Sequence, residues 1–411
     1  AEITEGFAMQ ILTTKDGKSV GGIVVEETGR AVKVALVNGS VESVAVKEIV
    51  KRETAPVSAM PPTFAAMLAP QDVADIVAYL QAPKKKKEEE AKPAAAEKPG
   101  GNALAGMPDP LSGKQWGDRK KGFHLDCHDV RLELRYDGVE IGSYIYRHSE
   151  TKRPFFVHVK TPSGIQVTRN FPPIEGKDPT DHGSMHPGIS LGFARLNGIS
   201  FWHNKAGVVV HDGIVGEPKV GAESASWMVR NRWLAPGGKL VCRETARYQF
   251  EKNADGYLLR VDNRFSGDEV FEFGVIEEMG LAIRVATPIM VKGQGGAILS
   301  GRGGVNEKGT WGKVDDWWDY HGPIGGRSVG LQVMSGNGDH EVWSHSRDYG
   351  VLVANPLPVD RAENRGKSIV VEPGEEFRLR FGVQVHEHAR REEFDPAAAY
   401  RRYLAGLQEQ R

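Results

Sequence analysis

The sequence predicts a mainly β protein: a large antiparallel β-sandwich preceded by a small domain of β-barrel-plus-helix type. Three observations carry this. From Gly113 onward, runs of about 6–11 residues alternate apolar and polar side chains between Gly, Asn and Asp turns. Helical periodicity is nearly absent there until "DPAAAYRRYLAGLQEQ", which argues against a parallel sheet with crossover helices. A charged, Ala/Pro/Gly-rich segment divides the chain.

In chain order, residues 1–82 form the first domain. "FAMQILTT", "SVGGIVVEE", "AVKVALV" and "VESVAVKEIVKRE" read as short strands, separated by the turn signals "KDGK", "ETGR" and "NGS". In "APQDVADIVAYLQ", Val73, Ile76, Val77 and Leu80 recur at helical spacing on one apolar face. Pro70 stands at the start, where a missing N–H costs nothing. Residues 83–112, with "KKKKEEE" followed by Ala, Pro and Gly, form a linker. Residues 113–411 form the sandwich, through "VRLELRYDG", "EIGSYIYRH", "RPFFVHVKTPSG", "SWMVRNRWLAPGG", "KLVCRETARYQFEK", "YLLRVDNRFSG" and "SVGLQVMSGNGD".

Composition narrows the function. Among 411 residues, 53 are basic and 54 acidic, a net charge of −1 that gives no reason to expect nucleic acid or an anionic membrane. No apolar run approaches the ~18–20 residues of a membrane-spanning helix. The first residues, "AEITEGFAMQ", show no signal-peptide pattern. Cys127 and Cys242 have no spacing that pairs them, and they read as lone buried thiols.

Several stretches carry chemistry. "PTDHGSMHPG" holds Asp181, His182 and His186 between two prolines that exclude a helix interior, so the set sits on a loop. A carboxylate beside histidines suits proton transfer, and the same His182/His186 pair is the candidate for a divalent metal. In "WSHSRDYG", an extended chain turns Trp343, His345 and Arg347 to one face, where Arg with His suits sugar hydroxyls or a carboxylate. "WGKVDDWWDYHG" offers Trp311, Trp317, Trp318 and Tyr320 as a stacking platform with Lys313 and Asp319 as polar partners, although an extended run turns one of Trp317 and Trp318 inward. Glu277 and Glu278 precede "MGLAIRVATP", which carries Arg284; a Glu–His pair is an acid/base arrangement. The Gly-rich "KGQGGAILSGRGG" reads as a loop over the site and lacks the ending of a phosphate loop. No G-x-S-x-G elbow occurs.

Three resemblances add expectations. "VEPGEEFRLRFGVQVHEH" resembles the closing strands of the galactose-mutarotase-like supersandwich. "RPFFVHVKTPSGIQVTRNFPP", "TDHGSMHPGISLGFARLNGISFW", "WGKVDDWWDYHGP" and "WSHSRDYGVLVANP" resemble the PmoA-type methane oxygenase family, and Gly183, Met185 and Pro187 depart from its histidine- and arginine-richer pattern. "TEGFAMQILTTKDGKSVGGIVVEE" with "SAMPPTFAAMLAPQDVADIVAYL" resembles the C-terminal part of planctomycete-type cytochrome-c-like modules, in which Met60 would be the axial ligand; C-x-x-C-H is absent, so haem is not expected. These resemblances imply export and a role with sugars. The expected function is a carbohydrate-active enzyme, a hydrolase, lyase or epimerase, using Asp181, His182, His186, Glu277, His345 and Arg347. Arg284, Trp311, Lys313, Trp318, Asp319, Tyr320 and Trp343 are expected to bind substrate. No cofactor is expected beyond the metal alternative. A non-catalytic glycan-binding module and a metal-dependent oxygenase are the alternatives.

Overall fold

The computed structural model describes residues 8–29, 31–36, 41–58, 109–338, 340–357 and 368–408. Met60, the expected 69–81 helix and nearly all of the 83–112 linker lie outside the described residues. The chain divides into two compact units, Ala1–Ala96 and Glu97–Arg411.

In the first unit, five antiparallel strands take the order Val41–Ala45, Ala31–Ala35, Ser19–Glu27, Ala8–Thr14, Ile49–Ser58. Every second residue turns inward, so Leu12, Val20, Val32, Val34 and Val44 close a small core.

The second unit is built on two nine-stranded antiparallel sheets. The first runs Trp343–Arg347, Val351–Asn355, Met279–Arg284, Ile189–Phe193, Phe155–Val157, Val139–Ile145, Arg131–Tyr136, Lys121–Cys127, Gln115–Asp118. The second runs Val208–Ile214, Ser224–Leu234, Leu240–Asn253, Gly256–Ser266, Phe377–His388, Arg327–Ser335, Trp317–Ile324, Ala297–Ser300, with Lys219–Val220 beside Ser224–Leu234. This is the mainly β, large antiparallel two-sheet sandwich expected from the alternating runs. Ser224–Leu234 shows how the pattern builds it: Ala225, Trp227, Val229, Asn231 and Trp233 are buried and alternate with less buried residues. Rings from the two sheets meet in the middle, Phe156 against Tyr248 with centroids 5.2 Å apart and Phe193 against Trp233 at 5.2 Å. Cys127 and Cys242 are free and buried. Burial pushes the Cys127 thiol up to about 11, so it is chemically quiet.

The long hairpin of the second sheet closes in two residues. Asn253 pairs with Gly256, and the Asn253 side-chain oxygen accepts the N–H groups of Asp255 and Gly256. The terminal helix, Pro396–Gln408, starts where Asp395 accepts the Ala398 N–H, and it buries Tyr403 against Leu258, Trp317 and Met334. One expectation is corrected. "KGQGGAILSGRGG" is not a loop throughout: Ala297–Ser300 is the edge strand of the second sheet, with Ile298 opposite Tyr320. The glycines drew attention away from the short apolar run "AILS", which is enough for an edge strand.

Candidate active site

Register decides which side chains share a face. His345 lies opposite Val353, Val353 opposite Ala282, and Ala282 opposite Ser190. One row on, Arg347 faces Val351 and Val351 faces Arg284. Residues paired in this way point to the same side of a sheet. On these strands, Phe193 and its alternates point toward the second sheet, so His345, Arg347, Arg284, Ser190 and Gly192 belong to the outer face. Gly192 permits close cover there. A Cβ at that position would stand 2.9 Å from the Trp202 ring and 3.0 Å from Arg153 Nε, so both side chains lie flat on the strand.

Two neighbouring groups occupy this face. The first is centred on His345, which is 5% exposed. Its Nδ1 lies 2.7 Å from a Glu277 carboxylate oxygen and 3.4 Å from the Trp311 indole nitrogen. An indole nitrogen only donates, so the two contacts ask for opposite tautomers, and the shorter, charge-assisted one decides: Nδ1–H donates to Glu277. Nε2 then keeps its lone pair, and it makes no hydrogen bond among the described residues. Arg347 donates to Glu307 at 2.9 Å, comes within 3.5 Å of Glu277 and lies 5.6 Å above the Trp311 ring. Trp311 itself is 41% exposed. Burial, then Arg347, push His345 below the ordinary histidine value, with Glu277 acting in the opposite direction, so the ring is neutral at neutral pH. Burial works against ionisation of Glu307, but the Asp348 N–H and Arg347 hold its carboxyl below the usual range.

The second group lies under the loop 179–188, which makes a single turn with the His186 N–H donating to the His182 carbonyl. Arg284 donates to Asp181 at 3.3 Å, and His182 Nδ1 lies 3.1 Å from the other Asp181 oxygen. Arg169 binds the loop from below through the carbonyls of Pro179, Asp181, His182 and His186. Burial opposes ionisation of Asp181, but Arg284, His182 and Arg169 hold its carboxyl below the usual range. Tyr349 joins the two groups. Arg284 stacks over its ring at 5.1 Å, and both Arg347 and Arg284 favour its phenolate against the burial that pushes the phenol up.

The sequence-predicted residues thus separate. Asp181, His182 and Arg284 stand together, and Glu277, His345, Arg347 and Trp311 stand together, on one face. His186 is buried, with both ring nitrogens enclosed and without a hydrogen-bond partner among the described residues. It reaches no solvent-open hollow and does not carry proton transfer in this arrangement. Trp318, Asp319 and Tyr320 form no platform. Trp318 and Tyr320 are core residues and Asp319 is a buried ion-pair partner, because their strand is covered on both faces. The Trp343 indole is buried and donates to the Leu357 carbonyl. Lys313 is exposed, and its side chain has no hydrogen bond or ion pair among the described residues. For His182 and His186 as metal ligands, the setting is adverse. Among the described residues no group of three His, Cys, Asp or Glu side chains is placed to hold a metal, and Arg284, Arg153 and Arg169 oppose positive charge at His186.

Sequence reasoning missed Arg153, Arg169, Glu307 and Tyr349. Tyr349 sits inside the quoted "WSHSRDYG"; the other three are charges in "TKRPFF", "VTRNFPP" and "GGVNEKG" with no local pattern to distinguish them.

His186 yields a stability prediction. Burial, then Arg284 and Arg153, push it well below the ordinary histidine value, so it stays neutral in the folded chain. Unfolded, it takes up a proton near pH ~6.5. The unfolded state therefore binds more protons. Stability falls as pH drops through about 6.5, by up to about 1.4 kcal/mol per pH unit for one such histidine. Denaturant titrations between neutral and mildly acid pH should give a shallower pH slope for His186→Asn than for the parent chain; equal slopes would contradict the assignment.

These features place a carboxylate-bound histidine and two arginines on the outer face of a two-sheet β-sandwich. The chain belongs to the family of unknown function DUF6807, whose model matches residues 131–399. This corrects the PmoA-type expectation, and no comparison found a cytochrome-c-like module in residues 1–82. No curated protein matches the sequence. Among solved structures, the chain is similar to the Slr1438 protein from Synechocystis sp. PCC 6803 (13% identity, TM-score 0.29, covering 68% of this chain and 98% of that one). It is similar to a galactose mutarotase related enzyme from Lactobacillus acidophilus (11%, TM-score 0.27, 64% and 97%). It is also similar to the GH36 alpha-galactosidase AgaB from Geobacillus stearothermophilus (12%, TM-score 0.27, 69% and 41%).

Proposed function

We propose that this protein is an enzyme acting on sugars by proton transfer, with His345 as general base. The observation that supports this is the Glu277–His345 pair: Nδ1 is committed to a carboxylate, Nε2 is free, and the exposed Trp311 indole lies beside it. A neutral imidazole oriented by a carboxylate accepts a proton through Nε2, and the carboxylate then stabilises the imidazolium. Trp311 offers its face to a sugar ring, and Arg347 stands ready for the negative charge that deprotonation leaves on the substrate.

Among hydrolysis, elimination and epimerisation, the last two fit better. Glycoside hydrolysis uses two carboxyl groups, one of them kept protonated. Here Glu307 is held ionised by the Asp348 N–H and Arg347, and Glu277 orients the histidine. One base with a neighbouring cation suits removal of a single proton.

Two measurements test the reading. Sugars from a glycan panel should quench or shift Trp fluorescence, and Trp311→Ala should weaken binding roughly tenfold, the effect of losing one stacked aromatic of about 1–1.5 kcal/mol. Proton NMR of the bound sugar in deuterated water should show slow replacement of one carbon-bound proton. Binding without any exchange or conversion would make the protein a glycan-binding module; no binding across the panel would overturn the sugar reading.

A further inference from the structure

Three buried guanidinium groups, those of Arg153, Arg169 and Arg284, meet beneath the loop 179–188. Two are occupied. Arg153 donates to the carbonyls of Trp202 and Met185 and lies near the Ser190 hydroxyl, and Arg169 donates to four loop carbonyls. Arg284 differs. It is 0% exposed, and its Nε and Nη1 make no hydrogen bond among the described residues. Its one side-chain acceptor among the described residues is Asp181, at 3.3 Å, and the same Asp181 oxygen lies 3.9 Å from Arg169. A buried guanidinium is costly unless its charge and its donors are matched, usually by a bidentate anion at shorter range. Other nearby carboxylates are committed: Asp178 to Thr287, Asn170 and the Ile174 N–H, and Glu278 to His203. Asp181 is itself shared with His182, and its side chain is 42% exposed. The fold therefore presents a buried, under-paired cation behind a carboxylate that solvent reaches.

We infer that the substrate is an acidic sugar, whose carboxylate displaces that of Asp181 from Arg284. This rests on the sugar reading above and adds the charge class of the substrate. The spacing agrees. Arg284 and Arg347 lie in one register row with Val351 between them, so their strands are roughly 10 Å apart. A single uronic acid ring with its substituents bridges from the Arg284 end to the Trp311 and His345 end.

Calorimetric titration of the full chain with glucuronate, galacturonate, glucose, galactose and inorganic sulfate tests this. The uronates should bind more tightly than the neutral sugars, and raised salt should weaken them. Asp181→Asn removes the competing carboxylate at an exposed position. It should tighten uronate binding roughly three- to tenfold relative to the neutral sugars, in the range of one released ion pair. Arg284→Gln should abolish the preference for uronates; should it fail to fold, Asp181→Asn decides alone. Equal affinity for glucose and glucuronate, unaltered in Asp181→Asn, would overturn the acidic-sugar inference and leave the proposed function standing. Binding of sulfate without any uronate would also overturn it, since the cation would then serve small anions alone.

Discussion

His345→Asn is expected to lower turnover by a factor of about 10²–10⁴, the usual contribution of a positioned general base. Asparagine can still donate to Glu277, so the hydrogen bond that ties the first sheet's edge strand to the 277–278 segment survives. What it lacks is a basic nitrogen in the place of Nε2. Substrate should bind about as well as before, so kcat falls with little change in KM. Glu277→Gln keeps a hydrogen-bonding oxygen but removes the charge that stabilises the imidazolium, and its loss should be smaller. The pH profile gives an independent check. The base acts only when neutral, and burial and Arg347 depress its proton affinity. Activity should therefore persist below the ordinary histidine range and fall on an acid limb under about pH 6.5. A His345→Asn protein that folds and turns over normally would remove His345 from the chemistry.

The strands were legible because period-2 alternation is written locally, as in the buried 225, 227, 229, 231 and 233 positions. The faces of "WSHSR" were legible for the same reason. Assembly of the site was not. It depends on the order Trp343–Arg347, Val351–Asn355, Met279–Arg284, Ile189–Phe193, which joins segments more than 150 residues apart in the chain. No local pattern records that order or its register. Richness in aromatic and acidic residues misled at "WWDYHG". Alternation sends Trp317 and Trp318 to opposite faces, and the helix Pro396–Gln408 covers one of them through Tyr403 while the sheet core covers the other. An apparent binding platform is thus packing. The same held for His186, whose loop position suggested exposure although Arg169 and Trp202 enclose it. Single arginines such as Arg169 gain their role from burial alone, which composition does not record.

Asp319→Ala is expected to cost about 3–5 kcal/mol of stability, the range for breaking a buried ion pair by removing one partner. The Asp319 side chain is fully buried. One oxygen takes His386 Nε2 at 2.8 Å; the other meets His321 Nδ1 at 2.9 Å and Arg391 at 3.0 Å. Gly330 makes this possible: it lies opposite both His386 and His321, and a Cβ there would stand 2.6 Å from His386 Nε2. Burial works against ionisation of Asp319, but His386 and His321 hold its carboxyl far below the usual carboxylate range. Its contribution is accordingly present above the unfolded value of about 3.9, and it is lost as pH falls below that. The Asp319 cluster also anchors the segment leading into the last helix, because Arg391 begins that segment and Phe394 stacks on His386 at 3.9 Å. Alanine leaves Arg391 and His386 without their anion, and the melting temperature should drop by roughly 10 °C. Asp319→Asn keeps the shape and two hydrogen-bonding atoms, so it should cost less than alanine. Denaturant titration at neutral pH measures both. A loss under about 1 kcal/mol for Asp319→Ala would mean that the cluster's attraction barely exceeds the desolvation it requires.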